Sequence, residues 1–141
     1  MDKKHWVMDY ETLYDCFTGV FEHYKTKETK IFVISRLRND QTEFLEFLDQ
    51  NIKNKEWHIS YNGLAFDAQV THYILDNYYL WKNLGGCEVA EIIYKYAQRC
   101  IQKSNNREFS DYPQWKMRMG QIDIFKMHHW DNPAKRSSLK W

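Results

Sequence analysis

The sequence predicts an α/β domain built on a mixed sheet, three antiparallel strands followed by parallel ones, flanked by helices. Three observations carry this. Alternating, β-rich segments crowd into residues 5–36 with only short polar links between them. Apolar residues then recur at helical spacing from Phe44, and a short β-rich segment returns at residues 57–61. Closely linked strands read as an antiparallel meander. A strand, a helix and a further strand read as a parallel crossover, right-handed by rule.

Each element follows from its residues. His5 to Leu13 read as the first strand, with Val7 expected to point inward, and Phe17 to Tyr24 as the second. Lys25-Thr26-Lys27-Glu28-Thr29 is a turn, and Lys30 to Arg36 a third strand. Asn39-Asp40 offers an N-cap to a helix whose apolar stripe is Phe44, Leu45, Phe47, Leu48 and Ile52. Trp57 to Tyr61 is a short strand that Asn62-Gly63 ends. Phe66, Val70, Tyr73, Ile74 and Asn77 mark a second helix with Asp67 in its first turn; Leu84-Gly85-Gly86 breaks the pattern. Val89, Ile92, Ile93, Tyr96, Ala97 and Cys100 set a third helix over 88–103. Residues 104–120 are polar, contain Pro113 and read as an insertion or mobile loop. Gln121 to Phe125 read as another strand, and 132–141 open a helix.

Bulk properties bound the class. The 141 residues make one domain, 1–141, with an ordinary soluble composition of 43% apolar and 28% charged residues. Aromatics reach 17%, ten of them Tyr; most are expected in the core, a minority as platforms for stacking bases. Net charge is +1, but residues 99–141 hold nine basic against four acidic side chains. An acidic site beside a basic flank suits a phosphodiester substrate. Three cysteines, Cys16, Cys87 and Cys100, show no C-x-x-C spacing, which argues against a disulfide framework or zinc knuckle and fits a reducing, cytoplasmic setting. Cys87, Cys100, His128 and His129 have no recognised zinc spacing. No signal-peptide h-region opens the chain, and no apolar run is long enough to span a bilayer, so no membrane partner is expected.

Two blocks carry chemistry. In Asp9-Tyr10-Glu11-Thr12 the carboxylates lie two positions apart on a strand and therefore share a face. Two like charges so close are unfavourable without a cation. Tyr61-Asn62-Gly63-Leu64-Ala65-Phe66-Asp67 adds a third carboxylate at a loop-to-helix junction. Three carboxylates without a thiol or imidazole make a hard oxygen site, suited to Mg²⁺ or Mn²⁺. Asp67 alone is also what a helix N-terminus favours.

Together the blocks resemble the first two exonuclease motifs of the DEDD 3′–5′ exonuclease superfamily, which has a ribonuclease-H-like fold. The second block looks most like the version in phage-type DNA polymerase proofreading domains. The resemblance covers residues 5–80 well and the rest loosely. It implies a two-metal phosphodiester hydrolysis of nucleic acid, DNA in the proofreading case, with Asp9 as bridging ligand, Glu11 on one ion and Asp67 on the second. It implies substrate positioning by Tyr10, Thr12, Asn62 and Phe66, and phosphate contacts from Lys135 and Arg136. Asp123, before the family-like Lys135-Arg136-Ser137-Ser138-Leu139 segment, is expected to be structural or to support a ligand indirectly. The partners implied are a single-stranded 3′ end and a polymerase or a C-terminal complementing segment. Lys-, Asn- and Tyr-rich usage suits an A·T-rich genome such as a bacteriophage's.

The third motif of the family, Tyr-x-x-x-Asp or His-x-x-x-x-Asp, has no match; Asp111-Tyr112 comes too early, and Asp131 has no Tyr or His four residues before it. Two expectations compete. The chain is the N-terminal part of a longer exonuclease, weakly active or inactive alone, or it is a non-catalytic nucleic-acid-binding module on the same fold. An endonuclease of ribonuclease-H-like type and a structural protein with coincidental motifs are the remaining alternatives.

Overall fold

The computed structural model describes residues 5–128, with the backbone alone at His128. The expected helix over 132–141, with Lys135 and Arg136, lies outside the described residues.

Alternation of large apolar and polar residues makes the meander. β1 (Trp6–Leu13) pairs antiparallel with β2 (Cys16–His23), and β2 pairs antiparallel with β3 (Thr29–Ser35). β4 (His58–Ser60) joins the other edge of β1 in parallel, and β5 (Gln121–Asp123) joins β4 in parallel. The mixed five-stranded sheet has the order β3-β2-β1-β4-β5. Between β3 and β4 runs α1 (Gln41–Lys53); between β4 and β5 run α2 (Asp67–Asn77) and α3 (Gly86–Asn105). A five-residue α4 (Ile124–His128) follows β5. Among the described residues, no helix is long and apolar enough to cross a membrane.

One aromatic cluster holds the sheet to its helices. Phe44 of α1 is fully buried and stacks on Phe17 at 5.6 Å and on Phe32 at 5.2 Å between ring centroids. Phe21 and Tyr10 meet the same ring at tilted or edge-on angles. Val70 and Ile74 from α2 and Val89, Ala90 and Ile93 from α3 complete this core. Tyr73 and Tyr96 stack at 3.9 Å, binding α2 to α3.

Two local expectations need correction, and two local details are added. Val7 is 45% exposed, because Trp6, Met8 and Tyr10 take the core side of β1 and the pleat turns alternate residues the other way. β5 stops at Asp123, whose carboxylate accepts the Phe125 N–H at 2.9 Å and so starts a helix where a longer strand was expected. At the start of α1 it is Asn39 whose side chain accepts the Gln41 N–H, while Asp40 accepts from Val33 N–H at 2.9 Å and from Arg38 at 2.7 Å. A 3₁₀ turn, Tyr78–Trp81, precedes the glycine break.

Removing the shared ring should collapse this packing. Phe44→Ala is expected to cost about 3–5 kcal/mol in urea unfolding. A loss below about 1 kcal/mol would place the core elsewhere.

Candidate functional site

Strand register builds the site. β1 pairs with β4 only at Trp6 and Val7, and β4 itself ends at Ser60, opposite Asp123 of β5. β1 therefore runs on past the carboxyl end of β4, carrying Asp9 and Glu11 into the region that loop 61–66 enters. Both carboxylates are exposed and point away from the core. The loop then delivers Asp67 as the first residue of α2. The carboxyl ends of parallel strands are where open α/β sheets gather ligand sites.

The carboxylates share one electrostatic field. Loss of solvent pushes the half-buried Asp67 carboxyl up to about 8, and the negative charges of Asp9, Asp123 and Glu11, in that order, add to the shift. Like charges at close quarters favour the protonated form. A hard divalent cation relieves that repulsion directly, and the all-oxygen donor set of Asp9, Glu11 and Asp67 suits Mg²⁺ or Mn²⁺. As the side chains stand, no three His, Cys, Asp or Glu among the described residues are spaced to hold one ion.

Asp123 shapes the loop that carries Asp67. Its Oδ1 accepts the Asn62 N–H at 2.8 Å and its Oδ2 the Leu64 N–H at 3.2 Å, in addition to the Phe125 bond. Both oxygens are thus committed to backbone, which makes Asp123 a group that shapes the loop. Asn62 sits at φ 57°, a left-handed conformation that Asn tolerates better than most side chains. Next to it, a Cβ on Gly63 would lie 1.7 Å from Ser60 Oγ, so only glycine lets the loop pass this close to β4. The Gly63 carbonyl accepts the Phe66 and Ala68 N–H groups and leads the chain into α2.

The remaining residues expected at the site divide. Tyr10, expected to position substrate, has its side chain in the core, opposite to Asp9 and Glu11. Its hydroxyl instead bonds Thr71 Oγ1 at 2.6 Å, one turn beyond Asp67, and pins α2 under β1. Thr12 shares the Tyr10 side of the pleat and is half-buried, so it too faces away from the two carboxylates. Phe66 is half-buried and packs against the core, whereas Asn62 lines a surface cleft next to the loop.

Two structural supports beside the site were not foreseen. Gln69 is buried; its Nε2 donates to the Leu64 carbonyl at 2.8 Å and the Tyr112 carbonyl at 2.7 Å, and its Oε1 accepts the Tyr112 N–H at 2.9 Å. His72 accepts the Arg118 N–H at Nε2 (3.0 Å) and donates from Nδ1 to the Ala68 carbonyl (2.7 Å). Burial lowers its pKa, which keeps Nε2 an acceptor. Polar residues at three of the four positions 69–72 of an otherwise apolar-faced helix were the available signal; their partners, more than forty positions away, were not.

Two outcomes follow from this electrostatics and bonding. The Asp67 carboxyl titrates higher folded (about 8) than its ordinary 3.8, so the folded protein binds more protons between those values. Metal-free stability should therefore fall as pH rises from about 4 to about 8. Asp67→Asn should flatten that decline and raise Tm near pH 8, read from thermal melts in EDTA; a variant with the wild-type slope would locate the repulsion elsewhere. Asp123→Ala strands the Asn62 and Leu64 N–H groups and should cost about 1–3 kcal/mol in urea despite the charge relief. An unchanged midpoint there would mean the loop holds itself.

No protein-family model, curated protein or solved structure matches this chain, so the arrangement is read from its own residues.

Proposed function

We propose that this chain is a metal-dependent 3′–5′ exonuclease module of ribonuclease-H-like type that acts on single-stranded DNA. The observation that carries the reading is that β1 carries Asp9 and Glu11 past the carboxyl end of β4, on the side where α2 starts at Asp67, with the charges of both opposing ionisation of Asp67. Two further features support it. Three antiparallel strands precede two parallel ones, the order expected of that fold. Asp9 and Glu11 also stay exposed on an open sheet face, where a phosphodiester could approach.

Bound divalent cations would supply an activated water and charge stabilisation at the leaving 3′ oxygen. The chain's own residues do the rest. Asp9 and Glu11 present carboxylate oxygens from one rigid strand. Asp67 presents a third from the α2 terminus, whose position Tyr10 and Asp123 hold. Asn62, in the same loop, lines the adjoining cleft and would meet the terminal nucleotide there.

One observation favours the second reading, a non-catalytic nucleic-acid-binding module. Asp123 commits both oxygens to backbone, so among the described residues Asp9, Glu11 and Asp67 are the acidic candidates at this site, where the family uses four. On that ground the isolated chain is proposed to be weakly active at most, with a polymerase or a complementing segment as partner.

Manganese titration followed by thermal melting tests the site. Wild type should gain several degrees at saturating Mn²⁺, by mass action of a ligand on the folded state. Asp9→Ala and Asp67→Ala should each abolish the gain. No gain in wild type, together with no loss of a 5′-labelled single strand from its 3′ end, would remove the exonuclease reading.

A further inference from the structure

Segment 106–120 is the part of the chain that the proposed chemistry leaves unused. It presents two large aromatic side chains to solvent: Phe109 is 98% and Trp115 80% exposed. Isolated exposed apolar residues are ordinary, but two aromatics on one cleft rim are costly to leave in water. Both line a cleft of about 440 Å³, whose opposite wall is Asn62, Leu64 and Ala65, the loop that leads to Asp67. The cleft and the carboxylates therefore share a wall.

Its electrostatics are the reverse of the carboxylate site's. Lys126 lines the cleft, and the Lys116 ammonium lies 5.0 Å from the Trp115 ring centroid. Arg107 stands exposed at the segment's start. Of the segment's two acidic residues, Asp111 is engaged by Lys103 and the Tyr96 hydroxyl, and exposed Glu108 offsets its neighbour Arg107, which leaves Lys116 and Lys126 as the cations at the cleft. Cations interleaved with aromatic faces match a polymer that alternates phosphates with flat bases.

The segment is also fastened. Gln69 bonds both the Leu64 carbonyl and the Tyr112 backbone, and His72 bonds the Arg118 N–H. Gln69 lies two positions after Asp67 on the same helix. The aromatics are thus carried on a frame whose distance from the carboxylates α2 fixes.

We propose that Phe109 and Trp115 form a base-stacking platform that holds the single-stranded DNA feeding the carboxylate site, with Lys116 and Lys126 meeting the flanking phosphates. This rests on the nuclease reading above and adds to it the residues that select an unpaired strand. A duplex keeps its bases stacked on one another, so the platform discriminates against it.

Equilibrium binding of a fluorescent oligonucleotide to the full chain in EDTA, where no digestion occurs, tests this. Wild type should prefer a single strand to a blunt duplex of the same sequence. Phe109→Ala and Trp115→Ala should each weaken single-strand binding roughly 5- to 100-fold. Their salt dependence should stay unchanged, since neither removes a cation. Trp115→Phe should retain most of the affinity, and Lys126→Ala should lower the salt slope by about one. Single-strand affinity unchanged in both alanine variants would overturn the platform and leave the nuclease reading standing. So would equal binding of duplex and single strand. Trp115→Ala that spares DNA binding yet dissolves a dimer in sedimentation would assign the face to a second copy and overturn it as well. Failure of wild type to bind any single strand would remove the nuclease reading together with the platform.

Discussion

Bringing like charges together costs free energy, and a fold that does so must hold them there by other means. Asp67 is partly withdrawn from water beside the negative charges of Asp9, Asp123 and Glu11, and the cost of ionising it there is the constraint on which the arrangement of this molecule turns. β1 cannot relax, because eight residues pair with β2 along its whole length. α2 cannot withdraw, because Tyr10 and Thr71 bond beneath it and Val70 and Ile74 are buried. The loop between them cannot swing out, because Asp123 holds two of its N–H groups. The aromatic stack around Phe44 supplies the rigid base to which all three are attached. A carboxyl whose ionisation is opposed both by burial and by neighbouring carboxylates is a common sign of a functional site.

The two-residue period of β1 lets one short segment do two jobs. Asp9 and Glu11 face outward with exposed carboxylates; Tyr10, between them in sequence, faces inward as the anchor of the helix that brings Asp67. The parity that puts Val7 outside is the same parity that exposes the carboxylates, so an inward Val7 and an outward Asp9 are incompatible. The assignment of Val7 to the core was therefore at odds with the chemistry expected two residues later. Trp6, Met8 and Tyr10 decide the matter, because three large side chains bury far more apolar area than one valine.

Elements with strong periodicity were legible in the sequence. The meander, α1, α2 and α3 all lie within a few residues of where their apolar spacing put them, and Asp67 falls at the helix start its loop sequence indicated. What escaped was set by distant partners. Asp123 ends β5 by capping a helix and bonding residues some sixty positions earlier, which no local pattern announces. Gln69 and His72 read as ordinary helical polar residues until Tyr112 and Arg118 fold back on them. Lys135 and Arg136, expected to contact phosphate, lie outside the described residues.

The fastening of segment 106–120 changes what that stretch can do. A polar, proline-containing loop with no long-range bonds would add conformational entropy that any bound ligand must remove. Here Gln69 and His72 have removed much of it in advance, and preorganisation of that kind is what lets a modest contact area hold a ligand. Because Asp67 and Gln69 share the first turn of α2, anything that steadies the carboxyl end of β1 also steadies the loop wall of the cleft. Under the proposed reading, cation at the carboxylates and strand in the cleft would each favour the same α2 position. By linkage, each would then strengthen the other's binding by an equal factor.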